Sequence, residues 1–173
     1  MFVPGIIISV VTFPGVIVHE IAHQIFCRIL KVAVMDVCYF KMGNPAGYVI
    51  HETPQKLWHQ LLIAIGPFIV NTIIGAIVTF PAVTNTYFFA MGTLDAVLMW
   101  LGISIAMHSF PSVGDAKNIW SATKKASYFI RVLSFPVVGI IYVGAIGSVI
   151  WLDLIYGYAV INFIPNLLAK ALA

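Results

Sequence analysis

The sequence predicts an all-α integral membrane protein with about four transmembrane helices and a short β-hairpin at the cytoplasmic face between the first two. Three observations lead there. Of 173 residues, 61% are hydrophobic and only 9% charged, a composition that a soluble domain of this size could not keep in solution. The apolar residues fall into long runs separated by short polar stretches. One of those stretches holds two β-prone segments around Gly43-Asn44-Pro45-Ala46-Gly47.

The first span, within residues 1–30, runs from about Val3 to Leu30, long enough to cross roughly 30 Å of hydrocarbon at 1.5 Å per residue. It lacks the basic start of a cleaved secretory signal and is expected to be retained. Inside it lies His19-Glu20-Ile21-Ala22-His23. Residues four apart share one helical face, so both imidazoles can reach a single metal ion, with Glu20 beside them. From Phe2 to Phe26 these three are the only ionisable side chains, and such groups are costly in a bilayer unless they serve something. A zinc with three protein ligands keeps a fourth position for water, which a neighbouring carboxylate can deprotonate. Counting back from Lys31, His23 lies about 12 Å and His19 about 18 Å along the axis. Cys27, four residues past His23, shares that face and is a conceivable thiolate ligand, although such a cysteine more often packs. With Cys38 it makes two cysteines, too few for a disulfide framework.

Residues 31–56 read as the hairpin, whose open edge could receive an extended peptide by strand addition or serve only as a connector. The second span covers 57–81 and contains Gly66-Pro67 and Asn71. A proline there frees a backbone carbonyl. Asn71 is a candidate donor into the site, a substrate-binding or supporting group, with helix-to-helix bonding as the plainer reading. An uncharged loop through Asn85 and Tyr87 leads to the third span, 95–115, apolar to Phe110. Pro111 and Gly114 are expected to break it, leaving Asp115 on an unwound end where it can turn toward a metal. The same aspartate also reads as a helix cap. His108 is a competing ligand or a group supporting one. Residues 116–131 are expected to be a basic cytoplasmic loop, and 132–173 a fourth helix and a tail.

Residues 31–56 and 116–131 hold seven of the nine lysines and arginines and lie two spans apart, so the positive-inside rule puts them in the cytoplasm. The amino terminus is then outside, and the site faces the cytoplasm of a multi-pass protein of the cell membrane. The basic residues lack an aromatic pattern for stacking bases, and no nucleic-acid partner is expected.

Together these motifs resemble the site-2 protease family of intramembrane zinc metalloproteases. In that family one span carries H-E-x-x-H, the next a Gly-Pro pair with a nearby asparagine, and the third a proline-containing segment ending in an aspartate. The matching positions are His19 to His23, Gly66-Pro67 with Asn71, and Pro111 with Asp115, within about residues 5 to 120. Three points depart from the pattern. His108 stands where the family has asparagine, Asp115 is one residue closer to its proline and precedes Ala116 instead of glycine, and Asn71 is one residue farther from its Gly-Pro pair. The resemblance implies one Zn2+ per chain held by His19, His23 and Asp115, Glu20 as catalytic base, and membrane-protein substrates. Two alternatives stand beside it. One is a zinc site completed by Glu52. The other is a catalytically silent multi-pass protein that binds a metal or partner. The sequence leaves the oligomeric state open.

Overall fold

The computed structural model describes residues 5–84 and 92–172, which form seven α-helices and one two-stranded antiparallel sheet. The expected hairpin is present, and so are long apolar helices, but several boundaries differ from the expectation.

The first apolar run is two helices, α1 (Gly5–Val11) and α2 (Phe13–Ile29), whose axes meet at 88°. Pro14 is the cause: it has no amide hydrogen for the carbonyl of Val10 and its ring clashes with that carbonyl, so α1 cannot run through it, whereas the first turn of α2 accepts a proline. Thr12 closes α1 by donating both its N–H (2.8 Å) and its hydroxyl (2.7 Å) to the carbonyl of Ile8. Carbonyls left open at the corner are taken up by the third long helix: Ser104 donates to Thr12 O and Trp100 to Val11 O. The far end of α2 is closed by Lys31 in the left-handed region (φ 56°), with Val32 N–H reaching Cys27 O and Lys31 N–H reaching Arg28 O.

The hairpin pairs β1 (Val34–Cys38) with β2 (Tyr48–His51) in the register Val37 to Val49 and Cys38 to Tyr48. It is fastened to α2 through Tyr39, whose hydroxyl donates to Gln24 Oε1 at 2.8 Å. The Tyr48 hydroxyl donates to Asp36 Oδ2 (2.9 Å), and that bond and the aspartate charge raise the phenol's pKa.

Next come α3 (Leu57–Thr84) and α4 (Thr93–Met107); the expected loop through Asn85 and Tyr87 lies outside the described residues. The two helices meet through small side chains, with Gly75 against Ala106 and Gly102 against Thr79. The helix at the place of the expected third span thus ends at Met107, short of the expected 110–115, and its 15 residues leave it shorter than the helices able to cross a membrane by themselves. Beyond it, the stretch expected to be a basic loop is mostly helix, α5 (Val113–Lys125). Its start is set by a reciprocal cap between Ser112 and Asp115. Its inner face is Ala116, Ile119 and Thr123, while Lys117, Lys124 and Lys125 remain outside the core. Arg131 donates back to Lys124 O and Ala126 O, satisfying carbonyls at its end.

The fourth span, expected from 132 to 152, is α6 (Tyr128–Gly147). The tail that was expected to follow is a full helix, α7 (Leu152–Leu172), reached through a 3₁₀ turn at Ser148–Ile150. It belongs to the bundle: Val160 and Ile161 share a buried cluster with Ala76 of α3 and Ala106 of α4, and Tyr156 bonds Thr72 at 2.7 Å. A second cluster joins Ala64 of α3 to Ala116 and Ile119 of α5 and to Val138, Ile141 and Ala145 of α6. Three helices, α3, α6 and α7, are long and apolar enough to cross a membrane, and the bent pair α1–α2 makes a fourth if counted as one span.

Candidate metal centre

Helical spacing places His19 and His23 on the inner face of α2, both buried, with their Nε2 atoms 3.1 Å apart. The other nitrogen of each ring is already committed. His19 Nδ1 is 2.7 Å from the carbonyl oxygen of His108, and His23 Nδ1 is 2.9 Å from that of Ile63. A carbonyl can only accept, so each Nδ1 carries a proton and each ring turns its Nε2 inward. Two Nε2 atoms facing each other at that distance repel as lone pairs unless a proton or a metal ion lies between them.

Asp115 closes the third side. Its Oδ2 lies 3.5 Å from His23 Nε2 and accepts from Ser112 N–H (2.9 Å) and Ser112 Oγ (2.6 Å). Among the described residues this is the one group of three or more histidine, cysteine or carboxylate side chains whose donor atoms all fall within 4.8 Å of one another. Ligands about 2.0–2.1 Å from a tetrahedral zinc stand about 3.3 Å apart; the separations of 3.1 and 3.5 Å are close to that, and the three atoms together lie within 4.8 Å. Nitrogen and carboxylate donors also suit it chemically.

No family model, curated protein or solved structure matches this chain.

The aspartate reaches the histidines by a different route from the one expected. It does not sit on an unwound segment; the backbone breaks across Ser109–Pro111, and Asp115 occupies the first turn of α5. The capping reading and the ligand reading are thus compatible, because the bonds that cap the helix also aim the carboxylate.

Glu20 is buried at 8% exposure, within electrostatic reach of His23 and Asp115, and packs against the hairpin at Gly47. A Cβ at residue 47 would lie 2.7 Å from Glu20 Cγ and 3.0 Å from its Oε1, so only glycine fits over this carboxylate. Asn71 is fully buried, and its Nδ2 donates to the carbonyls of Ile105 and His108 (both 3.1 Å) and Gly15 (3.3 Å). Its Oδ1 has no hydrogen-bond partner. Since the His108 carbonyl also takes the proton of His19, Asn71 steadies the acceptor that orients a ligand. The imidazole of His108 is not among the grouped donors; its Nε2 is 2.8 Å from Thr12 Oγ1 at the α1–α2 corner. Cys27 is a buried free thiol outside the metal group, and Glu52 is exposed beyond β2 and likewise apart from it.

Sequence reasoning did not find the two backbone carbonyls that hold the rings, nor Ser112. Backbone groups leave no residue-type signal. Ser112-x-x-Asp115 has the form of a capping box with aspartate in the acidic place, a readable signal that the nearby Pro111 and Gly114 obscured. Beside Asp115 a cavity of about 620 Å³ opens between β2 and α5, lined in part by Val49, His51, Gln60, Asn118 and Lys125.

Proposed function

We propose that this chain is a membrane-embedded zinc endopeptidase of the site-2 protease type, acting on transmembrane or membrane-associated proteins. The observation that carries the reading is the pair of Nε2 atoms held face to face at 3.1 Å, each ring fixed through its Nδ1, with a carboxylate oxygen 3.5 Å from one of them. His19, His23 and Asp115 would hold the ion, whose contribution is Lewis acidity toward water and a scissile carbonyl. Glu20 would take the proton from the attacking water and return it to the leaving amine, a role supported by its burial within electrostatic reach of His23 and Asp115.

A transmembrane helix hides its carbonyls in hydrogen bonds, so a substrate has to unwind before attack. The cavity between β2 and α5 would receive the unwound segment, a reading supported by the outer edge of β2, which has no strand partner among the described residues. Four potential spans support a seat in the bilayer. Eight of the nine lysines and arginines, all but Lys170, belong to the end of α2, the hairpin region, α5 or the first turn of α6, which by the positive-inside rule gives this end to the cytoplasm and the amino terminus to the outside.

Metal analysis of detergent-purified protein tests the reading. Wild type is expected to carry one zinc per chain, and His23→Ala and Asp115→Ala to lose it. Glu20→Gln is expected to keep the zinc and lose cleavage of a transmembrane peptide, by about 10²–10⁴-fold for a missing general base. Wild type that holds zinc yet cleaves nothing, with Glu20→Gln indistinguishable from it, would instead identify a silent metal-binding protein.

A further inference from the structure

In a regular helix the carbonyl of Ile63 would accept the N–H of residue 67. Residue 67 is Pro67, which has none, and its ring also pushes the carbonyl four residues earlier away from the helix axis. This freed carbonyl is the one that lies 2.9 Å from His23 Nδ1. The neighbouring Gly66 makes room for α2 beside it: a Cβ there would fall 2.5 Å from Cδ2 of Phe26, one turn beyond His23 on α2. One residue therefore lets the two helices approach and the next releases the oxygen that the approach brings to the imidazole.

We propose that Gly66-Pro67 is a positioning device for His23, in which the missing amide hydrogen of residue 67 reserves the Ile63 carbonyl for the ring. The inference rests on the metal reading of His23, but it concerns how the ring is held. With the carbonyl reserved, His23 keeps its proton on Nδ1 and its lone pair toward His19. An amide at position 67 would compete for the same oxygen and release the ring to rotate or change tautomer. Partners of this kind typically contribute 10–100-fold to metal affinity.

Pro67→Ala tests this directly, because alanine is a better helix former than proline and a purely structural role predicts equal or higher stability. Zinc affinity would be measured by chelator competition for wild type, for Pro67→Ala, and for a third protein carrying the alanine analogue joined through an ester, which again lacks the N–H. Zinc-free protein labelled in its histidine rings gives a second readout, the downfield signal of the hydrogen-bonded Nδ1 proton of His23. Pro67→Ala is expected to bind zinc at least tenfold more weakly and to lose that signal, and the ester protein to return to within about threefold of wild type, following the usual span of such partner effects. Equal zinc affinity in wild type and Pro67→Ala would overturn the proposal, as would an ester protein no better than the alanine one. Wild type that binds no zinc would bring down the metal reading, while the His23 signal would still decide whether residue 67 holds the ring.

Discussion

Ser112 offers a way to separate helix capping from ligand orientation at the candidate metal centre. Its hydroxyl accepts the N–H of Asp115 (3.1 Å) and donates to Asp115 Oδ2 (2.6 Å), while its backbone N–H donates to the same oxygen (2.9 Å). Ser112→Ala removes both side-chain bonds and leaves the backbone one. Loss of the cap costs about 1 kcal/mol of stability at the start of α5, whereas glycine at an N-cap costs only a few tenths. Neither substitution can supply the hydroxyl donor that fixes the carboxylate. Loss of such a donor lowers metal affinity by about 10–100-fold, and the surviving backbone bond favours the lower end, near tenfold or about 1.4 kcal/mol. Ser112→Ala is therefore expected to lower both the melting temperature of the metal-free protein and its zinc affinity. Ser112→Gly is expected to lower the affinity alone, and Ser112→Thr neither. Chelator competition for zinc, set beside thermal melts in detergent, reads the two quantities independently. If Ser112→Gly bound zinc as tightly as wild type, Asp115 would not depend on its cap for aim.

Three further substitutions address the surroundings of the candidate ligands. Gly47→Ala introduces a methyl 2.7 Å from Glu20 Cγ and 3.0 Å from the Tyr39 carbonyl, so the hairpin or the carboxylate has to move. Displacement of a reacting group by about 1 Å costs on the order of 10²-fold in rate, so cleavage should fall by that factor at unchanged zinc content; wild-type cleavage would show that Glu20 has room to spare. Asn71→Ala deletes the donors to three carbonyls from α2 and the end of α4, at about 0.6–2 kcal/mol per intramembrane bond. It should lower the melting temperature and weaken zinc a few-fold through the His108 carbonyl. His108→Ala keeps that carbonyl and should bind zinc more tightly than Asn71→Ala; the reverse order would assign the ring a role at the metal.

The parts of this protein legible in the sequence are those that repeat a local rule. His19 and His23 were readable because four-residue spacing and an apolar setting both bear on single side chains. The hairpin was readable because Gly43 to Gly47 forms an obvious turn between β-prone segments. The corner at Thr12 is signalled by Pro14 alone, inside a continuous apolar run that reads as one helix. The helix α5 was missed because Pro111, Gly114 and four basic residues looked like loop chemistry, and its stabilising face, Ala116, Ile119 and Thr123, is too small and mild to stand out.

Long-range organisation lies beyond such rules, and α7 shows why. Its residues from Asp153 are less uniformly apolar than those of α3, with Tyr156, Tyr158, Asn162 and Asn166 interrupting the run. What makes it part of the bundle is complementarity to surfaces far away in the chain. Gly157 fits against the backbone of Met107 at the end of α4, and the Tyr156 ring enters a cluster with Phe68 and Phe110, its hydroxyl meeting Thr72. Each contact needs a partner more than forty residues away, so no short window along the chain contains both halves. Phe110 and the neighbouring Ser109 belong to the segment that joins α4 to Asp115, and Thr72 also reaches Ser109 at 3.4 Å. The tail of the chain thus buttresses the segment that leads to Asp115, and a candidate metal centre whose grouped side chains all lie before residue 116 is braced by a helix that begins at residue 152.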